Sequence, residues 1–287
     1  MMKRPSKFRT GITALLCSLL FLPTAASAQQ PQPSPPTVRI STQEEIQAEF
    51  ASVPCKNDER LQAARNLFVR MGAPDEALAV VQYGTNVQNL VVRKAGGSAE
   101  TIIIGAHYDK VADGCGALDN WTGIVTLAHL YRSLKDVPLK KSLLFVAFGK
   151  EEKGLVGSHA MVEAMSKEEV AGICEMINID SLGLSAPQVA DNMSSKKMLD
   201  LATSVAEAMK MPFAHASIAG ADADSSSFLA KKIPALTIHG LTGKWPEILH
   251  SSKDQAKLVD PLSVYLGYRL SLALLSRLND APCNAYR

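Results

Sequence analysis

The pattern of apolar and polar positions along the chain predicts strands that alternate with helices. Continuous apolar runs, each bounded by polar residues or glycine, predict buried strands at 101–105, 142–148, 173–179 and 234–238. Apolar residues recur at helical spacing over 122–134, 157–165, 195–210 and 261–278. Buried strands alternating with helices are typical of an α/β sheet covered on both faces. The prediction is a single three-layer α/β/α domain with a mixed, mostly parallel central sheet.

The first 28 residues have the pattern of a secretory signal peptide. A basic start is followed by an apolar run over 12–21 and by a small-x-small sequence ending at Ala28, after which we expect cleavage. The run is shorter than the roughly 20 apolar residues of a membrane-spanning helix. Leu16 precedes Cys17 where a lipoprotein signal has a small residue. We therefore expect a secreted or periplasmic protein without a membrane anchor.

Charge argues against nucleic-acid binding once the signal segment is set aside. That segment carries four of the 30 Lys and Arg residues and none of the 28 Asp and Glu residues, so the net charge changes from +2 to −2. The remaining chain has no basic stripe of the kind that binds nucleic acid. Residues 29–40 are rich in Pro and Gln and predict an extended linker, which leaves 41–287 as one domain. The pattern does not indicate an oligomeric state.

Four cysteines lie beyond the signal segment, and in an exported protein they can form two disulfides. They are Cys55, Cys115, Cys174 and Cys283. Their wide and irregular spacing does not fit a structural zinc site. Three pairings are possible. We favour Cys55–Cys283, which would tie the two ends of the domain together, with Cys115–Cys174 as the second pair.

Acidic and imidazole side chains follow the ends of the predicted strands. His107 follows the first long apolar strand, and Asp180 ends the third. Glu151 and Glu152 follow the second. The carboxyl ends of parallel strands meet at one edge of an open α/β sheet, where sites form. Carboxylates that lie close together repel one another unless cations neutralise them, so the pattern predicts a metal site.

Five segments around these residues carry a family resemblance. They are AHYD at 106–109, GALDNWTG at 116–123, FGKEEKGLVGS at 148–158, NIDSLG at 178–183 and ILHSSKD at 248–254. In this order and spacing, the chain resembles the secreted co-catalytic zinc aminopeptidases of peptidase clan MH over roughly 101–254. A single segment would be weak evidence, whereas chance does not readily produce five in order. The resemblance implies a zinc-exopeptidase-like fold and two Zn²⁺ ions per chain.

Position by position, the resemblance implies five metal ligands: His107, Asp119, Glu152, Asp180 and His250. His107 and Asp180 would hold one zinc ion. Glu152 and His250 would hold the other, and Asp119 would bridge both through its two oxygens. Zinc accepts His nitrogen and carboxylate oxygen at about 2.0–2.2 Å. A shared carboxylate suits two metal ions about 3.5–4 Å apart.

Two further residues are implied in catalysis, and a third has two readings. Glu151 would be the general base, pointing at the metal-activated water instead of binding metal. Asp109, two residues after His107, is placed to orient that imidazole. Asp254 would do the same for His250 or would cap a helix N-terminus.

The resemblance implies an aminopeptidase that hydrolyses the N-terminal peptide bond of peptides with a free N-terminus. Two zinc ions would activate the water, and Glu151 would take its proton. The alternatives are a glutaminyl cyclase-like acyltransferase with one zinc, a carboxypeptidase or dipeptidase of the same clan, and a non-catalytic homologue. The Glu pair runs directly into GLVGS at 154–158, as in the aminopeptidases, whereas cyclases carry an insertion there. An intact ligand set argues against a non-catalytic protein, because paired carboxylates without metal are costly.

The chain departs from the family pattern near the expected substrate pocket. Ser225 stands where relatives often have a His, within the segment DADSSSF at 222–228, which leaves the substrate preference open. Leu118 replaces a small or polar residue before the bridging Asp, and we expect no harm to the bridge. His239 is a further candidate for the pocket wall, although no motif supports it.

Overall fold

Four long apolar strands form the centre of the sheet, as their sequence pattern predicts. The computed structural model describes residues 1–2 and 38–287, so the predicted signal peptide and most of the predicted linker lie outside the described residues. The strands are β1 (Leu78–Tyr83), β2 (Val87–Lys94), β3 (Thr101–His107), β4 (Ser142–Phe148), β5 (Ile173–Ile179), β6 (Gln188–Ala190), β7 (Ala214–Ala216) and β8 (Ala235–His239).

The strands form one mixed sheet in the order β1-β2-β4-β3-β5-β8-β6-β7. The central strands β4, β3, β5 and β8 run parallel. Antiparallel pairing joins β1 to β2, β2 to β4, and β6 to β8. All seven residues of β4 and of β5 are buried, which explains why these strands are mostly apolar in sequence. The predicted mixed, mostly parallel sheet is confirmed.

Helices cover both faces of the sheet and complete the three layers. They are α1 (Gln43–Ala48), α2 (Asn57–Arg70), α3 (Thr122–Leu134), α4 (Val156–Glu163), α5 (Lys167–Gly172), α6 (Lys196–Ala208), α7 (Ser225–Ala230) and α8 (Pro261–Asp280). One face packs against α1, α2, α3, α6 and α8 in the larger apolar core. The other face packs against α4, α5 and α7 in a smaller core. Within the described ranges, no helix has the length and apolar character needed to cross a membrane.

The two disulfides join Cys55 to Cys115 and Cys174 to Cys283, so both favoured pairings are wrong. Cys115 lies in the connection that follows the carboxyl end of β3, whereas Cys174 is the second residue of β5, at the opposite edge of the sheet. A seven-residue strand spans about 20 Å, while the Cα atoms of a disulfide lie within about 7 Å. Each disulfide therefore joins two cysteines that lie at the same end of the parallel strands.

Candidate metal centre

The parallel strands deliver the predicted residues to one edge of the sheet. His107 is the last residue of β3, and Asp180 directly follows β5. The backbone N–H of Asp180 donates to the carbonyl of Ile238 in β8 at 2.9 Å, which fixes where β5 ends. Glu151 and Glu152 follow β4 in a short 3-10 turn. The structure therefore brings these side chains together at the carboxyl ends of the parallel strands, as the sequence predicts.

Asp119 lies between two imidazoles, one from each end of the motif region. Its Oδ1 is 3.0 Å from Nε2 of His107, and its Oδ2 is 3.0 Å from Nε2 of His250. The next residue, Asn120, holds this segment against the end of β5. The Asn120 Nδ2 donates to the carbonyl of Ile179 at 2.8 Å, and its Oδ1 accepts from the N–H of Ser181 at 3.2 Å.

The five predicted ligands form two groups that share Asp119. In the first group, Nε2 of His107 is 3.5 Å from Oδ1 of Asp180. In the second, Nε2 of His250 is 3.2 Å from Oε2 of Glu152. Within each group the potential ligand atoms lie within 4.8 Å of one another. A further combination of His107, Glu151 and Glu152 meets the same limit, so distance alone does not separate a ligand from a base.

The protonation of the two imidazoles is set by the carboxylates around them. Hydrogen bonds to Asp119 and Glu152 raise the pKa of His250 to about 10. Burial lowers the pKa of His107, but the charges of Glu151 and Asp180 and the hydrogen bond to Asp119 outweigh it and raise it well above its usual value. Both imidazoles are thus surrounded by carboxylates that favour positive charge at this site.

Glu151 is held close to the cluster with its side chain 12% exposed. Its Oε2 is 3.9 Å from Nε2 of His107, too far for a hydrogen bond. Burial raises the pKa of the Glu151 carboxyl to about 10, with His107 opposing the shift and the charges of Asp180 and Asp224 adding to it.

Asp109 and Asp254 accept hydrogen bonds from backbone amides. This differs from the imidazole contact predicted for Asp109, and for Asp254 it is closer to the capping alternative. The Asp109 carboxylate accepts from the N–H groups of Glu151 and Glu152 at 2.9 and 3.2 Å. Its Oδ1 is 3.9 Å from Nδ1 of His107, whereas its backbone carbonyl is 3.1 Å from that nitrogen. The carbonyl is thus the group within hydrogen-bonding distance of the imidazole.

Asp254 stabilises the segment that carries the shared carboxylate. Its Oδ1 accepts from the N–H of Leu118 at 2.7 Å and its Oδ2 from the N–H of Asp119 at 3.2 Å. It therefore caps amides at the start of the Ala117–Trp121 turn. Burial raises its pKa to about 6, against the opposing hydrogen bond from Leu118. Leu118 itself is fully buried in the larger core.

Sequence reasoning missed two buried charged residues near the cluster. Arg60 of α2 is completely buried and contacts the backbone between His107 and Asp119, but a lone Arg in a helix carries no signal of this. Asp224 is also completely buried, and neither of its carboxylate oxygens has a hydrogen-bond partner among the described residues. Burial raises the pKa of Asp224 to about 7. Its only signal was its place in the departing segment at 222–228.

A cavity of about 340 Å³ opens beside the ligand groups. One side is apolar and is lined by Leu155, Met193, Ile218, Leu241, Trp245 and Leu249. His239 also lines it, as expected, and its Nδ1 accepts from the N–H of Leu241 at 3.2 Å. Burial lowers the pKa of His239 to about 4, so this imidazole is neutral at physiological pH.

Ser225, where the sequence departs from the family pattern, contacts two residues that line the cavity. The Ser225 hydroxyl bonds the carbonyl of Met193 at 2.9 Å and the hydroxyl of Thr237 at 2.6 Å. Met193 and Thr237 both line the cavity. Replacing the family's His by Ser at this position therefore puts a small, fully buried residue behind the wall.

The chain thus has a zinc-exopeptidase-like fold, a mixed α/β sheet with a cluster of His, Asp and Glu residues at the carboxyl ends of its parallel strands. The chain belongs to peptidase family M28, whose profile matches residues 89–270. This membership confirms the resemblance found in the five motifs.

The chain is similar to several individual proteins. It is 38% identical over 86 residues to aminopeptidase YwaD of Bacillus subtilis, which covers 30% of this chain and 19% of that protein. It is 34% identical over 95 residues to a probable lipoprotein aminopeptidase, LpqL, of Mycobacterium tuberculosis, covering 33% of this chain and 19% of that protein. The chain thus matches about a fifth of the length of these relatives.

Solved structures share the fold at low sequence identity. The LapA aminopeptidase of Legionella pneumophila superposes with a TM-score of 0.67 and 20% identity, over 90% of this chain and 82% of that one. A glutaminyl cyclase from an Acidobacteriales bacterium superposes with a TM-score of 0.70 and 17% identity, over 88% of this chain and 99% of that one. The fold therefore does not separate peptidase from cyclase.

Proposed function

We propose that the chain is a two-zinc aminopeptidase that releases the N-terminal residue of peptides. The position of Asp119 carries the proposal, because its two oxygens each lie 3.0 Å from a different imidazole nitrogen, on His107 and on His250. A carboxylate shared in this way suits a pair of co-catalytic metal ions. Membership of peptidase family M28 and the aminopeptidase names of the relatives agree with it.

The donor set fits zinc in chemistry and in spacing. All five proposed ligands offer imidazole nitrogen or carboxylate oxygen, which zinc prefers together with thiolate. Ligand atoms of a tetrahedral zinc ion lie about 3.3 Å apart when the bonds are 2.0–2.1 Å long. The imidazole-to-carboxylate distances within the two groups run from 3.0 to 3.5 Å. The buried Oε1 of Glu152 has no partner among the described residues, as expected of an oxygen near a cation.

Zinc, when bound, would supply Lewis-acid activation of a water molecule and of the scissile carbonyl. The chain's own task is then proton transfer and orientation. Beside two bound cations the pKa of Glu151 would fall, so that its carboxyl group is ionised. The carboxylate would then take a proton from the water and pass it to the leaving amine. The N–H of Glu151 donates to Asp109, so the turn that carries this carboxylate is anchored. Asp109 is thus proposed to position the Glu pair.

The cavity supports an apolar N-terminal side chain as the preferred substrate feature. Its lining includes six large apolar residues. Apart from the proposed ligands and Glu151, the one charged residue that the structure describes in the lining is Asp222, because the imidazole of His239 is neutral. Burying an apolar side chain there gains roughly 25 cal/mol per Å² of apolar surface. A peptide that begins with a medium-sized aliphatic residue would gain most.

Export also belongs to this proposal. Two disulfides form and persist in oxidising compartments, which agrees with a signal peptide over 1–28. The proposed site of action is therefore secreted or periplasmic.

Metal content and substrate choice test the proposed function together. We expect two zinc ions per purified chain, release of leucine from leucyl p-nitroanilide, loss of activity with a chelator and recovery on adding zinc. N-acetyl-leucyl p-nitroanilide should not be cleaved. Cleavage of the blocked substrate would overturn the aminopeptidase assignment. One tight zinc ion with cyclisation of N-terminal glutamine would favour the cyclase instead.

A further inference from the structure

Arg60 of α2 holds the chain segment that joins the first two proposed metal ligands. Its guanidinium donates to the backbone carbonyls of Cys115 at 2.8 Å and Gly116 at 3.0 Å, and to that of Tyr108. A fourth donation reaches the carbonyl of Pro54 at 2.9 Å. Tyr108 directly follows His107, and Gly116 lies three residues before Asp119. The Arg60 side chain therefore forms hydrogen bonds with both ends of the 108–116 connection between these ligands.

Arg60 is buried without a direct ion pair to any described residue. Arg60 is completely buried, and its polar partners in the described part of the chain are backbone carbonyls with no carboxylate among them. A buried charge without an ion pair is costly. Burial lowers the pKa of Arg60 to about 10, against the opposing charges of Asp109, Asp119 and Asp254. The cation thus faces the acidic cluster without touching it.

Asp254 also forms hydrogen bonds with this part of the chain, through backbone N–H groups on both sides of Gly116. Asp254 accepts from the N–H groups of Leu118 and Asp119, and its backbone carbonyl accepts from the N–H of Cys115 at 2.8 Å. The backbone around Gly116 is tightly packed, because a Cβ added at Gly116 would lie 2.8 Å from the carbonyl oxygen of Asp119. Arg60 thus donates hydrogen bonds to backbone carbonyls of this part of the chain, and Asp254 accepts hydrogen bonds from its backbone amides.

The guanidinium also lies over an aromatic ring that belongs to the next turn. Its central carbon is 5.3 Å from the ring centroid of Trp121, within the range of a cation–π contact. Trp121 is two residues after Asp119. The flat side chain of Arg60 is therefore fixed by contacts both before and after the shared carboxylate.

We propose that Arg60 is a positioning residue for the metal centre, holding the 108–116 connection so that His107 and Asp119 meet at ligand distance. The proposal rests on the proposed two-zinc function. Arginine suits this task because its planar fork of donors reaches several carbonyls at once. A lysine at this position keeps the charge but donates from a single point.

Zinc affinity of the metal-stripped full domain tests the role of Arg60. Arg60→Met should weaken zinc binding about 10- to 100-fold, as measured by competition with a chromophoric chelator. Arg60→Lys should fall between this variant and the wild type. The visible absorption of the cobalt-loaded protein should change with both variants, because it reports the ligand geometry around the metal.

Arg132 of α3 supplies the matched control. It is also a largely buried arginine, but its contacts are Ser41 and Glu45, away from the 108–116 segment. Arg132→Met should lower the thermal stability and leave zinc affinity and the cobalt spectrum unchanged. A loss of stability alone thus does not imitate the expected result.

Three outcomes decide the matter. Wild-type zinc affinity and an unchanged cobalt spectrum in Arg60→Met would overturn the role of Arg60, while two zinc ions in the wild type keep the proposed function. If Arg60→Met does not fold, the same result in Arg60→Lys overturns the role. A wild-type chain that binds no zinc overturns both proposals.

Discussion

At the scale of single residues, we propose different tasks for Glu151 and Glu152, although the two are neighbours in sequence. Both backbone amides are held by one carboxylate, that of Asp109. Oε2 of Glu152 is 3.2 Å from Nε2 of His250, whereas Oε2 of Glu151 is 3.9 Å from Nε2 of His107. The first distance suits two ligands of one metal ion, and the second leaves the Glu151 oxygen free of a hydrogen bond to the imidazole.

Glu151→Gln should therefore separate proton transfer from metal binding. The amide has a similar shape but cannot accept the proton, so we expect turnover to fall about 10²- to 10⁴-fold while both zinc ions remain. The measurements are kcat with an aminoacyl p-nitroanilide and metal content by elemental analysis. Glu152→Gln is the matched comparison and should lose zinc affinity. Loss of a zinc ion from Glu151→Gln, or near wild-type turnover, would contradict the assignment.

The identities of the proposed ligands could be predicted from sequence, but their supporting contacts could not. His107 and His250 stand out through the motifs around them, and the structure brings both to Asp119. The sequence predicts an imidazole partner for Asp109, and for Asp254 either an imidazole or a helix N-terminus, yet both bind amides 42 or more residues away along the chain. Such contacts depend on which strand ends and turns lie side by side, and local sequence does not encode that.

At the scale of elements, β5 carries a buried acid inside the sheet. Glu175 is completely buried, and neither carboxylate oxygen has a hydrogen-bond partner among the described residues. The nearest cation is Nζ of Lys141, 3.7 Å from Oε2 and itself bonded to the carbonyl of Leu278 at 2.8 Å. Burial raises the pKa of Glu175 to about 7, while Lys141 and Arg287 oppose the shift and Glu100 adds to it.

This raised pKa makes stability depend on pH. The folded chain holds the Glu175 proton more tightly than the unfolded chain, so this contribution is full below about pH 4.5 and is lost as the pH rises through about 7. Glu175→Gln removes the dependence. We expect the free energy of unfolding of Glu175→Gln, relative to wild type, to rise by about 2–3 kcal/mol between pH 5 and pH 8.

Urea unfolding at both pH values measures this difference. The exposed Glu207 of α6 provides the control, because Glu207→Gln should shift stability equally at both pH values. A difference between Glu175→Gln and wild type that stays constant with pH would contradict the prediction.

Long elements were predictable and short ones were not. The four central strands are mostly apolar, so their pattern identifies them without tertiary information. Strands β6 and β7 have three residues each, which is too short for a period to appear. Helix α7 has six residues in a serine-rich segment and is fixed by packing of Phe228 in the smaller core.

At the scale of the whole molecule, the two disulfides stabilise opposite edges of the sheet. Cys115 lies within the segment held by Arg60, four residues before Asp119, whereas Cys174 ties β5 to the C-terminal residues. The pairing depends on which edge each cysteine reaches, and this is why spacing in the sequence led to the wrong pairs.

The two disulfides should have similar effects on stability and different effects on metal binding. They close separations of 60 and 109 residues, and removal of either should cost about 2–5 kcal/mol of unfolding free energy. Only the Cys55→Ser/Cys115→Ser pair should weaken zinc binding, because it frees the segment that carries Asp119. Thermal unfolding and chelator competition on both double variants measure this. Equal zinc affinity in the two would contradict the prediction.

The proposed metal ligands and the cavity all lie at the carboxyl ends of the parallel strands, and this affects how the protein can be attached to a support. The exposed turn between β2 and β3 contains Gly97, Ser98 and Ala99 and lies at the amino ends of the parallel strands. A tether placed there is separated from the cavity by the length of the parallel strands. We therefore expect immobilisation through this turn to leave substrate access open, and coupling through exposed lysines next to the cluster, such as Lys153, to obstruct it.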